Sequence, residues 1–136
     1  MTIEAWYERG GPNVLHDLSE VSAMLESVRA DSIKYDLPLM THWYVAEDGD
    51  STPEFSVGVH GDVGALSYSG REWHGLWFSK GEHPFDGELL AYSYQDNERP
   101  VPANSQIPFA EVVKAALEFF QLDGNRPASV TWQKLT

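Results

Sequence analysis

The sequence predicts an α+β fold, in which a twisted antiparallel sheet of about five to six strands carries two helices packed on one face. Three observations support this prediction. Between residues 39 and 94, short apolar and aromatic runs show the alternation typical of strands. Turns containing Gly and Asp separate those runs. Two segments that flank this region instead repeat their apolar residues at helical spacing.

The N-terminal part predicts one strand and one helix. Residues 3–7 contain enough apolar and aromatic side chains for a short first strand, and the Gly-Gly-Pro-Asn sequence at residues 10–13 ends the run. Asp17 stands three residues before Glu20, an arrangement typical of a helix-capping pair. Apolar residues then recur at helical spacing: Leu18, Val21, Leu25 and Val28. We therefore expect an amphipathic helix that packs through one stripe.

The middle of the chain predicts an antiparallel meander. The alternating runs cover residues 39–45, 55–59, 65–68, 73–78 and 89–94. The connecting segments at 47–51 and 61–64 contain the Gly, Asp and Ser residues that favour tight turns. Strands joined by such short turns pair as antiparallel neighbours.

The C-terminal part predicts a loop, a second helix and a last strand. Residues 97–106 are interpreted as the loop. Pro108 suits the first turn of the helix, and Gly124 is placed as its C′ stop. The helix carries a broad apolar stripe: Phe109, Val112, Val113, Ala116, Phe119 and Phe120. Pro127 favours an extended start for the last strand at residues 129–132.

Composition predicts a single cytoplasmic domain that spans residues 1–136. The chain is 42% hydrophobic and 12% aromatic, which is more than a disordered chain carries. It has no cysteine, which excludes disulfides, thiolate metal sites and a cysteine nucleophile. Because the first residues lack the pattern of a signal peptide and no long apolar run follows, we expect no contact with membranes.

Charge is the most informative bulk property. The net charge is −12, and residues 35–98 hold twelve acids but only two bases, Arg71 and Lys80. Nucleic acids require the opposite sign of charge, so DNA or RNA is not expected as a direct ligand. A basic protein would be attracted, mainly through faster encounter. The charge therefore has two interpretations: it attracts a basic protein partner, which is the one we expect, or it serves solubility alone.

Catalytic motifs are absent from the sequence, so we expect neither an enzyme nor a cofactor. Asp86 and Glu88 could hold a divalent ion, but the lysine that usually follows in metal-dependent nucleases is missing. His42 and His60 lie on neighbouring predicted strands and are interpreted as structural histidines. A small metal-dependent hydrolase that uses Asp86, Glu88 and a histidine is left open as an alternative.

Aromatic residues and acidic loops predict a protein-binding surface. Two tryptophans flank a glycine in Trp73-His74-Gly75-Leu76-Trp77, and tryptophan at a surface commonly anchors an interface. The loops at 47–54 and 82–88 supply carboxylates. The predicted partner-binding residues are Asp48, Asp50, Trp73, Trp77, Glu82, Asp86 and Glu88.

The C-terminal part contains Ala-Ala-Leu-Glu-Phe-Phe at 115–120, Gly-Asn-Arg-Pro at 124–127, Val-Thr-Trp at 130–132 and Leu135. With these motifs, residues 107–135 resemble the Imm-one family of bacterial polymorphic-toxin immunity proteins. The resemblance implies an α+β protein that binds and neutralises a co-inherited toxin, often a nucleic-acid deaminase or nuclease. It also implies structural roles for Phe119, Phe120, Gly124, Arg126, Pro127 and Trp132. An acidic binding module with a non-toxin partner is the other alternative.

Overall fold

Ten strands and two α-helices form within residues 1–135, the part of the chain that the computed structural model describes. The strands are β1 (Ile3–Trp6), β2 (Pro12–Leu15), β3 (Leu39–Val45), β4 (Glu54–His60), β5 (Val63–Gly70), β6 (Trp73–Ser79), β7 (Leu89–Tyr94), β8 (Asn97–Pro102), β9 (Ile107–Pro108) and β10 (Trp132–Lys134). The helices are α1 (Leu18–Lys34) and α2 (Phe109–Gln121), and short 3-10 helices lie at Ala46–Ser51 and Ala103–Ser105.

The main path of the sheet is antiparallel and runs in the order β2–β1–β3–β4–β5–β6–β10. β9 pairs with β5, and the β7–β8 hairpin joins β3 through one parallel pair, Leu39 with Ser93. The α+β class and the antiparallel sheet are therefore confirmed. The predicted number of five to six strands is wrong, because ten strands form in the described residues.

Two of the missed strands contain proline and lie at sheet edges. Pro12 begins β2, and the predicted loop at 97–106 contains β8 with Pro100 and Pro102. A two-residue turn joins β7 to β8, so the residues that flank it, Tyr94 and Asn97, form a hydrogen-bonded pair. From there, hydrogen-bonded and non-hydrogen-bonded pairs alternate along the two strands. Both β8 prolines fall where an N–H would point away from β7. An edge strand tolerates such prolines, so their presence did not exclude a strand.

The larger core lies between the two helices and one face of the sheet. Most of its buried members come from α1, from α2 and from β1, β3, β4 and β5, and β2 and β9 add Leu15 and Ile107. Phe119 of α2 stacks on Phe55 of β4 with ring centroids 4.5 Å apart, and Tyr68 of β5 packs edge-on against the ring of Phe119. Burial of these large side chains holds both helices on one face.

The ends of the helices differ in how well the sequence predicted them. At α1 the Asp17 carboxylate accepts a hydrogen bond from the Glu20 N–H at 2.9 Å, as expected for the capping pair. At α2 the left-handed C′ position is occupied by Asp123, with φ of 54°, and not by Gly124. Gly124 follows, and its N–H bonds to the Phe119 carbonyl at 2.9 Å. An added Cβ at Gly124 would lie 2.6 Å from Val45, so close packing requires this glycine.

The β7–β8 hairpin covers part of the other face of the sheet. Tyr92 of β7 is buried there with Met40, Ala65 and Val101 in a second, smaller core. Its ring lies directly above Gly58, where an added Cβ would come within 2.7 Å of it. The hairpin lies mainly over this part of the face, so the side that carries the helices holds the larger core and the other side is only partly covered. No helix within residues 1–135 is long and apolar enough to cross a membrane.

Candidate functional site

The predicted partner-binding residues lie toward two opposite ends of the sheet. Asp48 and Asp50 lie in the β3–β4 turn, and Trp73 begins β6 at that same end. The loop after β6 carries the other three carboxylates, those of Glu82, Asp86 and Glu88. A seven-residue strand such as β6 spans about 20 Å, so the structure does not bring the seven residues into one cluster.

Arg71, in the β5–β6 turn, organises the end of the sheet that carries Asp48. Its guanidinium donates to the Asp48 carboxylate at 2.8 Å, to the Asp123 carbonyl at 3.0 Å and to the Asn125 side chain at 2.9 Å. Three loops are thereby tied together. Asp48 is neutralised by this ion pair, whereas Asp50 is exposed and has no ion pair within the described residues. The two neighbouring carboxylates therefore differ in their availability to a partner.

The two predicted interface tryptophans pack against the arginine of the C-terminal motif. The guanidinium carbon of Arg126 lies 3.4 Å from the centroid of Trp73, 5.0 Å from that of Trp77 and 5.4 Å from that of Trp132. Trp73 and Trp77 meet edge to face at 6.0 Å. These contacts form a cation–π cluster that fastens the start of β6 to the C-terminal segment. Burial among the rings lowers the pKa of Arg126.

The remaining motif residues take packing positions. Phe119 and Pro127 are buried, while Phe120 and Trp132 are partly buried against the larger core. The Trp132 indole N–H donates to the Pro127 carbonyl at 2.7 Å. The last strand was predicted to begin at residue 129, but it begins at Trp132. The N–H groups of Ala128 and Ser129 instead bond to the Glu118 carboxylate and not to a neighbouring strand.

The residues proposed for the hydrolase alternative do not assemble. Asp86 and Glu88 are exposed, and the Asp86 carboxylate accepts a hydrogen bond from the Glu88 N–H at 2.9 Å. His42 bonds to the Ser56 hydroxyl at 2.8 Å, and His60 lies 3.5 Å from the Asp36 carboxylate at the far end of β4. Within residues 1–135 no group of three or more histidine and carboxylate side chains is placed to hold a metal ion.

A surface cavity near the β6–β7 loop contains one of the predicted residues. It has a volume of about 510 Å³ and is lined by Glu82 together with Lys80, His83 and Glu111. Because cationic and anionic side chains both line it, it favours no single sign of ligand charge.

The partly covered face of the sheet carries a second group of candidate residues. Glu4 of β1 lies opposite Tyr44 of β3, and Glu54 of β4 lies opposite Ser69 of β5. Of these, only Glu54 falls within a loop predicted to bind a partner. Alternation along each strand could have identified the face that each residue occupies, but the cross-strand register that groups them could not be obtained from one sequence.

His42 lies on this same face, where burial and the nearby Arg99 lower its pKa to about 4. The unfolded-state pKa is about 6.5, so between these values the unfolded chain binds a proton that the folded chain does not. Stability is therefore expected to fall as the pH drops from about 6.5 to about 4. The full shift is worth about 3 kcal/mol, and we expect roughly half of it because the ring is only partly buried.

Urea unfolding of the wild type and of His42→Gln, compared between about pH 7 and pH 4.5, measures this effect. The variant should lose less stability on acidification than the wild type. Identical pH dependence in the two proteins would contradict the role of His42.

The fold and these surfaces define an α+β protein with acidic turns, an aromatic–arginine cluster and no grouping of metal ligands in its described part. A family model described as Immunity protein Imm1 matches residues 9–134. Because the match covers most of the chain, the chain belongs to the Imm1 immunity-protein family. The family assignment indicates a role in immunity to a toxin, and the match extends well beyond residues 107–135. Comparison with curated proteins gives no match.

Proposed function

We propose that this chain binds a cognate secreted toxin of a polymorphic toxin system in the cytoplasm and neutralises it without catalysis. The proposed toxin is a basic nucleic-acid deaminase or nuclease domain, and the chain blocks its active or substrate-binding surface. Membership of the Imm1 family is the observation that carries the proposal.

The distribution of ion pairs supports a basic partner. In the acid-rich region 35–98, Asp36, Asp48, Asp62 and Asp96 pair with a basic side chain or a histidine. The other carboxylates have no such ion pair within the described residues: Glu47, Asp50, Glu54, Glu72, Glu82, Asp86, Glu88 and Glu98. Enzymes that act on nucleic acids hold phosphates with Lys and Arg, so these carboxylates without ion pairs complement such a surface.

Co-expression tests the function itself. The toxin domain encoded beside this chain in its source genome is expressed in bacteria with and without the chain. Growth should stop with the toxin alone and continue when both are made. Continued growth arrest, with the chain present and folded, would contradict the proposal.

Asp50→Lys is expected to slow association with that toxin domain by about threefold to tenfold and to weaken the salt dependence of association. Asp50 is the suitable residue because reversal of charge at Asp48 would also break its ion pair with Arg71. Dissociation should change less, since exposed charges act mainly on encounter.

The matched control is Glu26→Lys, which makes the same charge change on an exposed position of α1. Association rates are measured by stopped flow at several salt concentrations. Equal rates for the two variants would show that only net charge matters and that the β3–β4 turn does not face the toxin.

A further inference from the structure

One half of the sheet face opposite the helices is only bordered by the β7–β8 hairpin, whose Tyr94 packs on His42 and whose Arg99 lines a groove together with Glu54. The β7–β8 hairpin lies over the half that contains Met40, Gly58 and Ala65. The other half, toward the β3–β4 turn, carries the outward side chains of β1, β3, β4 and β5. A sheet face of this kind offers a broad surface made of regular, fixed backbone.

A carboxylate–tyrosine–carboxylate row crosses this open half. Glu4 pairs directly with Tyr44, and the pairing of Trp43 with Phe55 places Glu54 beside Tyr44 on its other side. Neighbouring strands lie about 4.8 Å apart, so the backbones of Glu4 and Glu54 lie about 10 Å apart with Tyr44 between them. Tyr44 is partly buried, and its pKa is raised first by that burial and then by the charges of Glu54 and Tyr94, while the nearby Arg99 lowers it.

Neither carboxylate of this row has an ion-pair partner in the described part of the chain. Glu4 and Glu54 take part in no ion pair within residues 1–135, although Arg99 lines the same groove as Glu54. The row therefore presents two carboxylates without an ion pair, one on either side of an aromatic ring.

A groove of about 290 Å³ adjoins this row. Its floor is made of the small side chains of Ser56, Ser67 and Ser69, which leave space above the sheet. Arg99 and its neighbours on β8 form one wall, and Leu76 of β6, which is 48% exposed, forms part of the other. The open half thus combines a charged row with a concave, partly apolar hollow.

We propose that this open half of the sheet face, centred on Tyr44, is the surface that docks the toxin, and that it receives an arginine-bearing segment of that protein. This inference rests on the proposed function. The guanidinium lies over Tyr44 and bonds to Glu4 and Glu54, while an adjacent apolar side chain fills the groove. Arginine suits this site better than lysine because its planar group stacks on an aromatic ring and presents N–H donors at its edge.

Charge disfavours a second copy of this chain as the occupant. The chain carries nine Lys and Arg residues against 21 acids, so two copies repel each other. Of its five arginines, three are engaged in ion pairs, Arg126 is held among tryptophans and Arg99 lies over the ring of Tyr94. A basic protein surface supplies the missing cations instead.

The test compares two double variants with equal charge changes, using the toxin domain encoded beside this chain as the probe. Glu4→Gln with Glu54→Gln removes the two charges of the row, and Glu26→Gln with Glu111→Gln removes two exposed charges from the helices. Calorimetric titration should show a loss of affinity of at least about tenfold for the first pair and less than about threefold for the second. Thermal unfolding verifies that both double variants fold. If one of them does not fold, the two corresponding single variants are measured in its place.

Each other outcome overturns the inference in a distinguishable way. Equal affinities for the two double variants would reject this surface while the wild-type complex still supports the proposed function. Absence of binding by the wild type would reject both. Sedimentation that shows a wild-type dimer dissociated by Glu4→Gln with Glu54→Gln would assign the face to a second copy of the chain.

Discussion

Phe119→Ala is expected to lower the free energy of unfolding by about 4 kcal/mol. Phe119 has no exposed surface, and its ring stacks on Phe55 at 4.5 Å and meets Tyr68 at 6.4 Å. Truncation removes these contacts and leaves a cavity between α2 and the sheet, which the surrounding strands cannot fill without distortion. Urea unfolding followed by tryptophan fluorescence measures the loss.

Phe85→Ala provides the matched control for this substitution. Phe85 lies in the β6–β7 loop and is 38% exposed, so the same truncation should cost less than about 1 kcal/mol. Similar losses for the two variants would mean that Phe119 is not packed between helix and sheet.

Gly64→Ala is expected to destabilise the fold by about 3 kcal/mol, although it adds only one methyl group. The added Cβ would lie 2.2 Å from the Gly58 carbonyl oxygen and 2.9 Å from a methyl group of Val112. The first atom belongs to the backbone of β4 and the second to a fully buried side chain of α2. Neither can move without separating β4 from β5 or lifting the helix.

Gly10→Ala is the control for that substitution, because no heavy atom lies within 4 Å of the Cβ it would add. Its stability should stay within about 0.5 kcal/mol of the wild type. Thermal and urea unfolding of the two variants separate the effect of the clash from the general effect of replacing glycine. A small loss at Gly64 would contradict the close packing of β4, β5 and α2.

Local signals in the sequence were sufficient for the elements that they govern. The capping pair Asp17 and Glu20 and the apolar stripe that follows define α1. The strict alternation near Phe55 and Val57 defines β4. In these segments, residues close in the chain determine both the backbone conformation and the buried side.

The sequence could not predict features that depend on neighbours distant in the chain. Pro100 is compatible with β8 only because that strand lies at an edge, and the edge position follows from tertiary structure. At the end of α2, the tight contact of Gly124 with Val45 is likewise a tertiary feature, and the residue before this glycine, Asp123, is the one that takes the left-handed C′ position.

In the candidate site, too, the sequence predicted features that depend on nearby residues but not contacts between residues distant in the chain. The acid-rich middle region was evident from composition, but the neutralisation of Asp48 by Arg71 depends on two turns meeting at one end of the sheet. Likewise, spacing along the chain gave no indication that Arg126 stacks on Trp73. The grouping of Glu4 with Glu54 required the register of three strands.

The most direct test of the central claim is titration of the activity of the proposed cognate toxin domain. Purified toxin domain at a fixed concentration acts on the nucleic-acid substrate that we propose for it while increasing amounts of the chain are added. We expect activity to fall linearly and to vanish near one equivalent, as a tight one-to-one inhibitor requires. Undiminished activity at about tenfold excess of folded chain, a ratio at which any tight inhibitor saturates its target, would contradict the account.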